Sequence, residues 1–200
     1  MMSRHGTWHR LAVIASLTCV ALVDVGCDRG DNGRGNAGVA VDVPMMAFLS
    51  QARALHHEAN LHEAENDLPG AIRALERLTT ARKPDGLPEV EEVLADTFAR
   101  MAELHTRLGD LTSAARDVEA GLAHAPARTY FRGHLLEVSG VLEETRATSL
   151  ADAGQSDEAT RARAKAGDLL RQAVAIQEEV IRTALEDAGT RRTGSEGQKR

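Results

Sequence analysis

Gly109-Asp110-Leu111-Thr112-Ser113-Ala114-Ala115 lies between two amphipathic helical stretches and is followed by Ala123-His124-Ala125-Pro126. Similar fragments recur at Glu65-Asn66-Asp67-Leu68-Pro69-Gly70-Ala71 and Ala153-Gly154-Gln155-Ser156-Asp157-Glu158-Ala159. A repeated helix-turn-helix unit cannot bury its own apolar face, so neighbouring units must stack to make a continuous core. The repeats predict an all-α binding scaffold. They do not name its partner.

The spacing within each unit sharpens this. Ala59 and Ala71, Ala102 and Ala114, and Ala147 and Ala159 are each twelve residues apart across a turn, and seven residues further on stand Leu78, Gly121 and Ala166. Small residues at matching places on two antiparallel helices let the backbones approach closely, and a residue seven further lies on the same helical face.

Six helices are expected. They run from about Met45 to Ala64, Leu68 to Ala81, Glu89 to Leu108, the Gly109-Asp110 turn to His124, Thr129 to Asp152, and Ser156 to about Glu186. Pro84, Gly86 and Pro88 break the chain after the second. Gly189 to Arg200 is polar and aperiodic, and reads as a disordered tail. In the sixth helix Ala159, Ala162, Ala166, Leu169, Ala173, Ile176 and Val180 form a narrow seam in steps of three and four. That seam suits a capping helix on the last pair, or a surface for self-association.

With Leu108-Gly109-Asp110, Ala102, Ala114, Leu122 and Pro126, the second unit resembles the tetratricopeptide repeat family. The first unit matches through Ala59, Asn66-Asp67, Ala71 and Pro84, and the third through Ala147, Gly154 and Ala159. The units are offset by 43 and 45 residues (Ala59 to Ala102, Ala102 to Ala147), against ~34 in the family. A loop at Lys83 to Pro88 and longer helices account for such an excess. The resemblance implies a right-handed superhelix of about three antiparallel helix pairs over residues 44–188, closed by a long C-terminal helix.

It also implies that the first helix of each pair lines a concave, partner-binding face. On this chain those positions are Arg53, His56, Asn60 and Glu63, then Ala99, Glu103, Thr106 and Arg107, then Glu144 and Thr148. Some relatives grip a terminal carboxylate with lysines and asparagines there. Asn60 alone fits that set, so no such clamp is expected.

Composition agrees with helices. Aromatic residues are 2% of the chain, whereas Ala, Leu, Glu and Arg are abundant. A net charge of −6 argues against nucleic acid, which requires a basic face to displace counterions. Both cysteines, Cys19 and Cys27, stand near the start, so no disulfide framework holds the body.

Arg4, His5, His9 and Arg10 precede an apolar run from Leu11 to Val23, too short to span a bilayer and laid out as a secretory signal peptide. Val23-Asp24-Val25-Gly26-Cys27 resembles a bacterial lipoprotein processing site, with Asp24 where that family favours an aliphatic residue. The resemblance implies a signal peptide over 1–26, a lipidated Cys27, and a bacterial cell-envelope location. The protein would be anchored to the inner or outer membrane and face the periplasm. Ordinary secretion by cleavage nearby, or an uncleaved anchor, are the alternatives. Residues 28–43 are rich in Gly, Asn and Asp and read as a flexible tether, so 27–43 forms the anchor segment. No Gly-Lys-Ser/Thr follows these glycines, which excludes a phosphate loop.

Chemistry is sparse. His56, His57 and His62 lie on the first body helix, and Glu58 and His62 share a face at metal-ligand spacing. Neither Glu-x-x-His nor His-Glu-x-x-His occurs, and no Gly-x-Ser-x-Gly is present. Acidic neighbours such as Glu91-Glu92 and Glu178-Glu179 splay by ~100° around a helix instead of converging. We therefore expect no enzyme, no cofactor and no resident metal. The leading expectation is a membrane-tethered scaffold for another envelope protein or peptide. The alternatives are a structural homo-oligomer assembled through residues 157–186, and a metal- or ligand-binding bundle using the three histidines.

Overall fold

The computed structural model describes residues 42–197, with side chains as far as Gly189; the expected signal peptide, Cys27 and most of the tether lie outside the described residues. These residues form six α-helices and no strand: α1 (Val43–Ala64), α2 (Leu68–Thr79), α3 (Pro88–Leu108), α4 (Leu111–His124), α5 (Tyr130–Asp152) and α6 (Ser156–Gly197). The protein is all-α.

The three turns that define the units share one geometry. Asn66 (φ 60°), Gly109 (φ 79°) and Gly154 (φ 76°) are all left-handed. The amide that follows each of them donates five residues back: Asp67 to the His62 carbonyl (2.8 Å), Asp110 to His105 (2.9 Å) and Gln155 to Leu150 (2.9 Å). This is the Schellman arrangement, which satisfies carbonyls that a helix end leaves orphaned. Asp67 and Asp110 then cap the next helix by accepting from the amides of Gly70 (2.9 Å) and Ser113 (3.0 Å). The Gly70 amide holds the Asp67 carboxyl below the usual aspartate range, and the Ser113 side chain, followed by its amide, does the same for Asp110.

Each helix packs on its chain neighbour, α1 on α2, α3 on α4 and α5 on α6, and successive pairs meet through α2–α3, α4–α5 and α3–α5. The small residues stand at the closest approaches. Ala59, Ala71, Ala102, Ala114 and Ala147 are fully inaccessible, and Ala159 nearly so. Gly121 takes another such place, where a methyl group would come 2.5 Å from a Leu135 methyl. The core passes along the chain as linked clusters, from Phe48, Leu78 and Leu94 through Leu75 and Leu104 to Leu135, Val138 and Leu142.

Polar bridges pin the second pair. His105 Nδ1 meets Asp117 at 2.6 Å and His124 Nδ1 meets Glu91 at 2.6 Å, with the His124 ring stacked on Phe98. Between α5 and α6 the buried Glu143 carboxylate accepts from Lys165 (2.8 Å), which supplies the compensation a buried charge requires.

Several boundaries differ from the sequence expectation. α1 starts at Val43, within the stretch read as tether, because Asp42 caps it by accepting from the Met45 amide (3.1 Å). The long repeat offset reflects first helices of 22, 21 and 23 residues. α6 continues to Gly197, past the expected end near Glu186 and into the stretch read as a disordered tail. No proline interrupts residues 187–197, so an established helix meets no block to propagation. The seam on α6 faces α5: Ala162, Ala166, Ala173 and Ile176 are buried, and Leu169 and Val180 pack at their margin. Among the described residues, no helix is long and apolar enough to cross a membrane.

Candidate functional site

The first helices of the three pairs present one joint face. Its centre is a cleft of about 340 Å³ lined by Glu63 of α1, Arg100, Glu103, Leu104, Thr106 and Arg107 of α3, and Glu137, Val138 and Val141 of α5. A second depression of about 480 Å³ lies further along the same helices, bounded by Leu49, Arg53 and His56, by Glu89, Glu92 and Asp96, and by Phe131. The two meet where His56 touches Arg100.

Arg100 organises the floor. Its guanidinium donates to Asn60 Oδ1 (2.5 Å), to Glu63 Oε1, and to the His56 carbonyl (3.3 Å). Arg107 takes the other Glu63 oxygen at 2.6 Å. Burial acts against ionisation of Glu63, but the hydrogen bonds from Arg100 and Arg107 outweigh it and hold the carboxyl below its ordinary range.

The His56 tautomer follows from its partners. The Thr97 hydroxyl spends its only proton on the Val93 carbonyl (2.7 Å), so at 3.1 Å it accepts from His56 Nε2–H. Nδ1 is then unprotonated and accepts from Arg100 at 3.3 Å. Burial keeps this ring neutral by pushing its pKa below 6.5; Arg100 acts in the same direction and Asp96 opposes.

Glu103 lines the cleft and, among the described residues, has no salt bridge or side-chain hydrogen bond. Loss of water raises its carboxyl above the ordinary value; His134 and Arg100 oppose the rise, and Asp96 and Glu137 add to it.

Glu63, Glu103, Thr106 and Arg107 therefore converge in one cleft, whereas Arg53 and His56 lie in the adjoining depression. Asn60 is committed to Arg100. Ala99 is fully buried in the core beneath the face, a correction that follows from the inward turn of its side chain between Ala95 and Ala102. Glu144 and Thr148 are exposed and line neither depression. They continue the α5 stripe beyond Val141, where the cleft ends. Sequence reading missed the rest of the lining, including Arg100, Glu137, Val138 and Val141 of the cleft and Glu89, Glu92, Asp96 and Phe131 of the depression. Arg100 was detectable, since it completes the α3 stripe of Asp96, Glu103 and Arg107 at helical spacing.

The three histidines do not converge. His56 serves Thr97 and Arg100, His57 is exposed, and His62 meets Asp67 at 2.9 Å while Glu58 accepts from Arg77 at 2.6 Å. Among the described residues, no group of three metal-ligating side chains forms. His56 and Thr97 are an imidazole–hydroxyl pair, yet Thr97 is fully inaccessible and cannot meet a substrate. The face offers charged rims, apolar walls and a pre-set floor, which suits binding. No family model, no curated protein and no solved structure matches this chain.

Proposed function

We propose that this chain is a non-enzymatic helical-repeat scaffold that holds a segment of another envelope protein against its α1/α3/α5 face. The finer arrangement, a tetratricopeptide-like right-handed superhelix of three pairs, belongs to this proposal. Three turns of one backbone geometry and contacts that follow chain order support it. A lipidated Cys27 would tether the scaffold to the inner or outer membrane of a bacterium, facing the periplasm, as the processing-site resemblance implies.

One observation carries the reading: α1, α3 and α5 jointly wall a cleft whose polar floor is already fixed by Arg100, Glu63 and Asn60. A floor that is ordered before binding spares the complex the entropy of ordering it. Val141, 47% exposed at the cleft wall, is a ready apolar anchor point.

A second reading also has an observation behind it. α6 leaves Val174, Ile181 and Leu185 exposed, an apolar stripe suited to a structural oligomer. Paired substitutions separate the two. Val141→Glu should cut recovery of the cross-linked partner roughly ten-fold or more, with a melting temperature within a few degrees of wild type. Val174→Glu should leave recovery unchanged. If Val174→Glu instead dissociates an oligomer and Val141→Glu is silent, as read by light scattering and partner recovery, the oligomer replaces the scaffold.

A further inference from the structure

We propose that the occupant of the α1/α3/α5 groove is a basic polypeptide segment, with lysine or arginine beside apolar anchors. The inference rests on the reading of that face as the binding face and specifies what it selects.

The charge pattern is one-sided. Glu89, Glu92, Asp96 and Glu103 are spaced three, four and seven residues apart on α3, hence on a single helical face. Each borders one of the two depressions, and none carries a salt bridge or side-chain hydrogen bond among the described residues. Across both depressions three arginines face six carboxylates, a net formal charge of −3. Arg100 and Arg107 share the single carboxylate of Glu63, a group of net +1, and Arg53 is the other cation set against the remaining five carboxylates.

Between these charges the walls are apolar: Leu49, Val93 and Phe131 in one depression, Leu104, Val138 and Val141 in the other. From Glu89 to Arg107 the stripe runs roughly 27 Å at 1.5 Å per residue, the reach of about eight extended residues. A neutral segment laid there would strip water from unpaired carboxylates and return nothing. An acidic one would add repulsion. A segment with cations at the rim and apolar side chains on the walls satisfies both surfaces. At Glu103 it also relieves the crowding by Asp96 and Glu137.

Three fluorescent peptides test this, equal in length and leucine positions but carrying lysine, glutamine or glutamate elsewhere. They are titrated into the full chain and photo-cross-linked to locate them. The lysine peptide should bind in the cleft, more weakly as salt rises, and the glutamate peptide should not bind. Replacing Glu89→Gln, Glu92→Gln and Asp96→Asn together should weaken the lysine peptide roughly ten-fold. Glu119→Gln, Glu158→Gln and Glu178→Gln, which remove three exposed carboxylates elsewhere, should change it less than about two-fold.

Equal weakening by both triple variants would mean general attraction to an acidic chain and would overturn the proposal. Equal binding of the glutamine or glutamate peptide at the cleft overturns the basic occupant while leaving the α1/α3/α5 reading intact. Cross-links elsewhere, or no binding by any peptide, overturn both. Binding that emerges only after residues 190–200 are removed identifies the chain's own end as the occupant and overturns an external one.

Discussion

Leu135→Ala is expected to lower the unfolding free energy by about 3–5 kcal/mol and the melting temperature by roughly 6–20 °C, read by circular dichroism. Leu135 is fully inaccessible and belongs to the cluster that joins α3, α4 and α5. It fills the space that Gly121 leaves open, with a methyl 2.5 Å from where a Gly121 side chain would begin. A rigid three-helix junction cannot collapse onto the deleted atoms, so the cavity persists.

The same geometry predicts a change of sign. Gly121→Ala alone gains helix propensity of about 1 kcal/mol, but drives its methyl into Leu135 and within 3.2 Å of the Phe98 Cβ, an overpacking cost of about 1–3 kcal/mol. It should destabilise or be neutral. In the Leu135→Ala background the clash with Leu135 is gone, and Gly121→Ala should stabilise by about 1 kcal/mol. Additive effects in the double variant would mean that Gly121 and Leu135 are not packed as described.

Arg100→Met should cost about 2 kcal/mol, since the Arg100 side chain is only 20% exposed and its loss strands acceptors on Glu63 and His56, while the exposed Asn60 turns to water. Arg107 still neutralises Glu63, which keeps the loss below that of a buried charge left wholly unpaired. The substitution also acts on His56. Its folded pKa lies below 6.5, so the unfolded chain takes the proton first as pH falls. His56 therefore contributes stability that is present above pH 6.5 and lost as pH falls from there toward the folded pKa.

Removing the cation beside Nδ1 raises the folded pKa and narrows that window. Recovery is incomplete because burial, the largest cause, persists, while Asp96 still favours the charged ring. The His56 ring-proton titration followed by NMR should shift upward in Arg100→Met. A midpoint that stays or falls would contradict the placement of the Arg100 guanidinium beside the His56 ring.

The architecture was legible because turns and close contacts carry local chemical signatures. Gly109 and Gly154 are needed where φ is positive, Asp67 and Asp110 where a helix begins, and the alanines where helices approach. Asn66 takes the left-handed place with less penalty than most side chains. The site was legible only in part. Arg53, His56, Glu63, Glu103, Thr106 and Arg107 follow from the repeat resemblance, which implies that first helices line the face, but where the cleft stops depends on the offset between α3 and α5, which sets Glu144 and Thr148 beyond it. Nothing local marks the polar Glu143 and Thr97 for burial; partners from other parts of the chain, Lys165 and His56, make it tolerable. The end of α6 escaped because a polar, aperiodic stretch gives no tertiary signal for or against a helix that is already running.

The measurement that bears most directly on the binding face is site-specific photo-cross-linking in the native cell, with a photoreactive residue at Thr106 in the cleft or at Glu119 on α4. The cleft position should trap a discrete partner that the α4 position does not. Trapping from Glu119 with none from Thr106 would contradict the assignment of the α1/α3/α5 groove.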